Sequence, residues 1–264
     1  MEQKYWLRQE PLKPLFPDMA WSRPENRLQA GKLLIVGGNV HGFAAPAEAY
    51  NEAIKAGVGA ARVLLPDAVQ KIVGRVLENG EFAPSTPSGS FNQKALDELL
   101  FSAQWADGVL LAGDLGRNSE TAILIEKFLD KYHQAATLTK DAVDYATSAP
   151  QTILNRADTL LVLSLSQLQR LGMAAKATAP ITFSMDLLRL VEWLHEFTRA
   201  YQPHIIVNHL DTIFVAVQGQ VSTTKFSDEA PIWRVRTSAH AAVWWLQNPS
   251  KPFEALTAAL VTSR

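Results

Sequence analysis

The chain has 264 residues, 47% of them apolar, and its 25 lysines and arginines nearly balance 26 aspartates and glutamates, for a formal charge of −1. That length permits one large α/β domain or two small ones with a sizeable core, and the near-neutral charge argues against general nucleic-acid or anionic-membrane binding. Cysteine is absent, which excludes disulfides, iron–sulfur clusters and thiol catalysis and removes the ligands that most structural zinc sites use.

The N-terminus, Met1-Glu-Gln-Lys-Tyr-Trp6, has no apolar stretch leading to a small-residue cleavage site, and no apolar run reaches the roughly 20 residues of a membrane span. A cytoplasmic protein is expected. Pro11, Pro14, Pro17 and Pro24 break up residues 1–30, which read as an extended arm laid over the body or onto a neighbouring subunit and docked by Trp6, Phe16 and Trp21. Residues 31–264 then form a single domain.

Residues 32–36, Lys-Leu-Leu-Ile-Val, are a short buried strand. Gly37-Gly38-Asn39-Val40-His41-Gly42 follows, then an alanine-rich helix to Lys55 and a second apolar strand over 61–65. Two apolar strands joined by a helix within this length make a βαβ unit and predict an α/β fold. Paired glycines at the strand end let backbone approach a ligand, and the next helix points its N-terminal amides into the same space. The same pair also serves as a plain strand-to-helix turn. Neither a Walker A sequence nor G-x-G-x-x-G occurs, so no P-loop or standard dinucleotide fold is indicated.

Further along, 67–77 reads as a helix capped by Asp67, 81–90 as a loop and 92–103 as a helix. A strand over 107–111 ends in Ala112-Gly113-Asp114-Leu115-Gly116-Arg117-Asn118, with a helix over 119–132, so that strand, glycine turn and helix N-terminus occur a second time. Two such turns on one sheet line one edge. Strands are predicted over 135–138 and 160–165, a short helix over 166–171, and an amphipathic helix over 186–201 with Ser184 as its cap, in which Trp193 and His195 pack or face solvent. The period then changes. Residues 204–208, 212–217 and 220–224 read as β, with a Gln218-Gly219 turn, and 232–235 as another strand before helices over 239–247 and 252–261.

Taken in order, these landmarks resemble the ribokinase-like superfamily, and within it the ADP- or ATP-dependent NAD(P)H-hydrate dehydratases, over about residues 24–261. Leu33-Leu-Ile-Val-Gly-Gly-Asn39 with Gly42-Phe-Ala-Ala-Pro46 is similar to that family's strand-GGS-x-x-Y-x-GAP segment, Ala56-Gly-Val-Gly-Ala60 to its A-G-A-G, and Ala112-Gly-Asp-Leu-Gly-Arg117 to its G-P-G-L-G-R. Asp141 matches the second acid of its D-A-D-A, and Pro252-Phe-Glu-Ala255 its P-x-E-A. The departures grow toward the C-terminus. Leu163-Ser-Leu-Ser-Gln167 stands for P-H-P-G-E, Asn208-His-Leu-Asp-Thr212 for K-G-A-G-T, and Thr237-Ser238-Ala239-His240 for the G-S-G-D whose aspartate is the catalytic acid/base.

The resemblance implies a ribokinase-like three-layer sandwich with a mostly parallel central sheet and a small antiparallel β region toward the C-terminus. It implies a small-molecule ligand, with ADP or ATP and Mg²⁺ as cofactors and NAD(P)H-hydrate as substrate. Gly37, Gly38, Asn39, Gly113, Asp114, Gly116, Arg117, Asp141, Asn208 and Ser238 then line the binding site. His41 is a further loop candidate, and no metal ligand is assigned. At a helix N-terminus His240 is chemically able to act as a general base, or it is a packed helix-start histidine. Asp114, where the family has proline, adds negative charge beside any phosphate, and Arg117 either grips a phosphate or lies on the surface. Two functions stay open: a divergent dehydratase or small-molecule kinase, and an inactive pseudoenzyme that acts by binding or assembly. The arm and Trp233, Trp244 and Trp245 suggest a homo-oligomer. Neither a Ser-His-Asp order nor a histidine pair points to a hydrolase or metalloenzyme.

Overall fold

A computed structural model describes residues 4–73, 80–177, 179–225 and 233–262. In chain order the described elements are β1 (Trp6–Gln9), α1 (Asp18–Trp21), β2 (Lys32–Gly37), α2 (Ala44–Lys55), β3 (Ala60–Pro66), α3 (Gln70–Val73), β4 (Gly80–Ala83), α4 (Leu96–Trp105), β5 (Gly108–Gly113), α5 (Ser119–Lys131), β6 (Ala135–Thr139), α6 (Asp141–Ser148), α7 (Pro150–Leu154), β7 (Thr159–Ser164), α8 (Leu165–Ala174), α9 (Leu187–Ala200), β8 (His204–His209), β9 (Thr212–Val217), β10 (Gln220–Lys225), α10 (Trp233–Gln247) and α11 (Pro252–Thr262).

The strands form one sheet in the order β1-β10-β9-β8-β7-β6-β5-β2-β3-β4. β9 is antiparallel to both neighbours, β8 and β10, and every other described pairing is parallel. A single reversed strand is thus the antiparallel region expected near the C-terminus. Helices cover both faces, so the central strands are apolar on both sides and read as continuous runs. Leu34, Val36, Leu111 and Leu163 pack with Leu99, Phe128, Leu168 and Leu194 of α4, α5, α8 and α9. On the other face Leu33, Ile35 and Leu110 meet Ala49 and Ala53 of α2 and Ala239 and Val243 of α10. Each fully buried Leu or Ile stabilises by about 1.5–3 kcal/mol relative to exposure.

Several expectations change. Residues 81–83 of the expected loop lie in β4, an edge strand paired with β3. Asp67 begins a 3₁₀ turn, Asp67–Val69, and its carboxylate accepts from Ser85 N at 3.0 Å instead of capping the helix. The later part of that expected helix, 74–77, falls outside the described residues. Asp186, not Ser184, caps α9, accepting from Arg189 N at 2.8 Å. Two helices, α6 and α7, occupy a stretch for which no element was expected.

The N-terminal arm is partly sheet. β1 lies parallel to β10, Trp6 Nε1 donates to Thr223 Oγ1 at 3.0 Å, and Phe16 packs edge-on against Phe253. Trp21, expected to dock, is 88% exposed. Trp244 and Trp245 are buried in the core, so they offer no surface to a second subunit.

The largest revision concerns α10. The strand expected over 232–235 is a helix from Trp233 onward, and Ile232 is outside the described residues. Residues 237–245 are all buried because the helix is covered on several sides, by α2, α11 and the sheet. With no exposed face, its sequence lacks the amphipathic signature of a surface helix.

Candidate functional site at the sheet switch point

From β2 the chain moves outward through β3 and β4, then returns to β5 on the other side of β2. The crossover helices α2 and α5 consequently lie on opposite faces, and the β2/β5 boundary is the topological switch point, where open α/β sheets form their ligand crevice. Both glycine turns meet there. Gly37 lies beside Gly113 in the register, and Gly38 N donates to Gly113 O at 3.0 Å. A Cβ on Gly37 would overlap the Gly113 carbonyl, and one on Gly113 would stand 2.7 Å from Lys140 Cβ. Gly38, Gly113 and Gly116 have φ of 84°, 98° and 80°, the left-handed region that glycine enters at little cost.

Polar side chains tie the turns together. Asn39 is buried; its Nδ2 donates to Asp114 O at 2.6 Å and its Oδ1 accepts from His41 N at 2.7 Å. Asp114 Oδ2 accepts from Ala45 N in the first turn of α2 at 2.8 Å, while Oδ1 pairs with the Lys140 ammonium. Asp141, at the start of α6, accepts from Leu115 N at 2.8 Å and Gly116 N at 3.2 Å through Oδ2. Its Oδ1 is buried without a hydrogen-bond partner. Burial pushes the Asp141 carboxyl above its usual range, and the charge of Asp114 adds to this against the opposing pull of the two amides and Lys140. The loop over 85–91 closes the outer side: Val40 N donates to Gly89 O at 3.0 Å and Asn118 Nδ2 to Ser88 Oγ at 3.0 Å. Arg117 is exposed at this rim.

Eight of the expected site residues therefore converge: Gly37, Gly38, Asn39, Gly113, Asp114, Gly116, Arg117 and Asp141. Asn208 is the penultimate residue of β8, three strands from β5, or roughly 14 Å at normal strand spacing. Its Oδ1 is likewise buried without a partner. Ser238 and His240 are elsewhere. Ser238 is fully buried inside α10 and donates to Val235 O at 2.8 Å. His240 is 5% exposed, well past the first turn of α10, with Nε2 2.9 Å from Glu52 Oε2. Burial lowers the His240 pKa despite the adjacent carboxylate. Burial opposes ionisation of Glu52 too, but the bonds from Lys55 and His240 outweigh it and hold its carboxyl below the usual range. The pair is thus a neutral imidazole donating to a carboxylate, a bond between α10 and α2. The assignment of His240 to a helix N-terminus is corrected by the position of α10.

Three residues that sequence reasoning passed over complete the edge. Lys140 holds Asp114. Gln167 forms a reciprocal cap with Ser164 and donates to Lys140 O at 2.7 Å and Asp144 Oδ1 at 3.0 Å. Arg234, in the first turn of α10, donates to Gln167 Oε1 at 2.8 Å, and burial lowers its pKa. Lys140 was visible as a cation directly after a strand, whereas Arg234 was hidden by the strand reading of 232–235.

A nucleotide phosphate does not fit this arrangement. The amides of Leu115, Gly116 and Ala45 already bond to carboxylates of the chain itself, and among the described residues no group of three or more His, Cys, Asp and Glu is placed to hold a metal ion. The arrangement suits a ligand group that donates a hydrogen bond to the part-exposed Asp114 carboxylate.

The fold is ribokinase-like. A ribokinase-like superfamily protein from Enterococcus faecalis V583 superposes with a TM-score of 0.72 at 12% identity, covering 99% of this chain and 88% of that one. An ADP/ATP-dependent NAD(P)H-hydrate dehydratase from Bacillus subtilis, co-crystallised with ATP/Mg²⁺, superposes with a TM-score of 0.61 at 11% identity over 94% and 86% of the two chains. In sequence, the chain resembles the bifunctional NAD(P)H-hydrate repair enzyme Nnr of Methanothermobacter thermautotrophicus, at 30% identity over 104 residues. That match spans 39% of this chain and 20% of the enzyme. No protein-family model matches. Among the described residues no helix is long and apolar enough to cross a membrane.

Proposed function

We propose that this chain is a divergent NAD(P)H-hydrate dehydratase-like protein that seats the nicotinamide end of a nucleotide, and not its phosphates, at the β2/β5 switch point. The observation that carries this reading is the junction of the two glycine turns at Gly38 N and Gly113 O, between the N-termini of α2 and α5. The partial identity with the Nnr enzyme and the fold shared with a dehydratase support the same ligand class.

A second reading, binding without turnover, is favoured by the placement of Ser238 and His240. Both sit inside a buried helix, and His240 is committed to Glu52. The test is calorimetric titration of the protein with NADPH, ADP and ATP, each with and without Mg²⁺, followed by a turnover assay on hydrated NADPH. Nucleotide-dependent turnover supports the first reading. Binding of NADPH with no turnover supports the second, and the absence of binding by all three at millimolar concentration overturns both.

A further inference from the structure

At both glycine turns of the crevice, amides of the kind that receive anions in α/β sheets bond to an acidic side chain of the same chain. Asp141 takes Leu115 N and Gly116 N, and Asp114 takes Ala45 N together with the Lys140 ammonium. Asp114 does so from a φ of 56°, a left-handed backbone that an L side chain enters at a cost and glycine does not. The carboxylate thus fills a position that offers both a helix amide and an ammonium.

We infer that Asp114 is an internal anion that sets the specificity of the crevice, which refuses phosphate and takes an uncharged or cationic hydrogen-bond donor. An incoming phosphate meets two carboxylates, the Lys140 ammonium is already paired with one of them, and Arg117 stands out at the exposed rim. Like charges brought together out of water oppose one another strongly. A primary carboxamide or a hydroxyl meets no such opposition and finds an acceptor in the part-exposed Asp114 carboxylate. The carboxamide of a nicotinamide ring belongs to this class, so the inference rests on the proposed function in naming the ligand group, but not in its claim about phosphate.

Inorganic phosphate is the probe, titrated into the full chain, Asp114→Gly and the double variant Asp114→Gly/Lys140→Met, with folding checked by circular dichroism and thermal melting. Glycine suits the left-handed backbone, so Asp114→Gly is the substitution that removes the carboxylate with least strain. The expected result is a gain in phosphate affinity of about tenfold or more in Asp114→Gly, abolished in the double variant. Equal phosphate affinity in the unmodified chain and a folded Asp114→Gly overturns the inference, as does a gain that survives loss of Lys140. If Asp114→Gly does not fold, Asp114→Asn keeps an acceptor for Ala45 N and releases Lys140; it must still bind phosphate more tightly than the unmodified chain, and equality overturns the inference. Failure of NADPH to bind the unmodified chain counts against the proposed function and leaves the phosphate comparison intact.

Discussion

Replacing Arg156 with alanine is expected to lower the unfolding free energy by about 4 kcal/mol, at the upper end of single-substitution effects. Arg156 lies between α7 and β7 at the edge of the sheet away from the crevice, and it is almost fully buried. Its guanidinium makes six hydrogen bonds, two to Tyr132 O and one each to Gln134 O, Ala157 O, Asp158 O and Thr159 Oγ1. Among the described residues no carboxylate is bonded to it; burial lowers its pKa, against the pull of the nearby Asp158 charge. Alanine would leave the oxygens of buried Tyr132 and Thr159 without this partner, each costing about 1–3 kcal/mol if neither relaxed, whereas those of Gln134, Ala157 and Asp158 belong to exposed residues. Partial relaxation and water entry reduce the total. Lysine should recover little, since an ammonium cannot span the fork that joins α5, β6 and β7. The check is a pair of urea denaturation curves in which the midpoint falls and the slope is unchanged. For a chain of this size the same loss lowers the melting temperature by roughly 10 °C.

The second large effect is a dependence on pH traced to His204. This first residue of β8 is 6% exposed, meets Trp245 edge-on at 5.2 Å between ring centroids, and has no hydrogen-bond partner for Nδ1. Burial pulls its pKa down to about 4, partly opposed by the charge of Asp158. Between that value and the ordinary 6.5 the unfolded chain binds a proton that the folded chain does not. Stability contributed by the neutral His204 is therefore complete above pH 6.5 and is lost as pH falls toward 4. The displacement corresponds to about 3 kcal/mol. His240, also lowered by burial, has the same sign, whereas Asp141, raised by burial, has the opposite sign and offsets part of the loss in acid. Denaturation midpoints at pH 7 and pH 4.5 should differ much less in His204→Phe than in the unmodified chain. Parallel pH profiles would remove His204 as the source.

Much of the scaffold was legible. The stretches 33–36, 63–65, 108–111 and 160–163 are apolar on both faces because they lie inside a covered parallel sheet, and each leads into a turn or cap residue. The two glycine turns were recognisable as a pair because each sits between an apolar run and a helix start. What was not legible has specific causes. Gly80–Ala83 is a four-residue edge strand that takes its structure from β3 more than from its own pattern. The apolar face of α6 is mostly alanine, Ala142 and Ala146 with Val143, too small to give a strong period. Trp233-Arg-Val235 begins with an aromatic and includes a β-branched residue, local preferences for strand that packing against α2, α11 and the sheet overrides. The misplaced start of α10 is what put His240 at a helix N-terminus. At the site itself, Asp114 meets Ala45 and Lys140, 69 and 26 positions away, and no spacing rule connects residues that only the strand order β5-β2 and β5-β6 brings together.

On the proposed function the ligand lies at the β2/β5 crevice and not along α10. Hydrogen exchange measured peptide by peptide, with and without saturating NADPH, tests it most directly. The predicted result is added protection in 38–45 and 114–120, with residues 237–245 unchanged. Protection confined to 237–245 and 204–212, with the glycine turns unaffected, would contradict it.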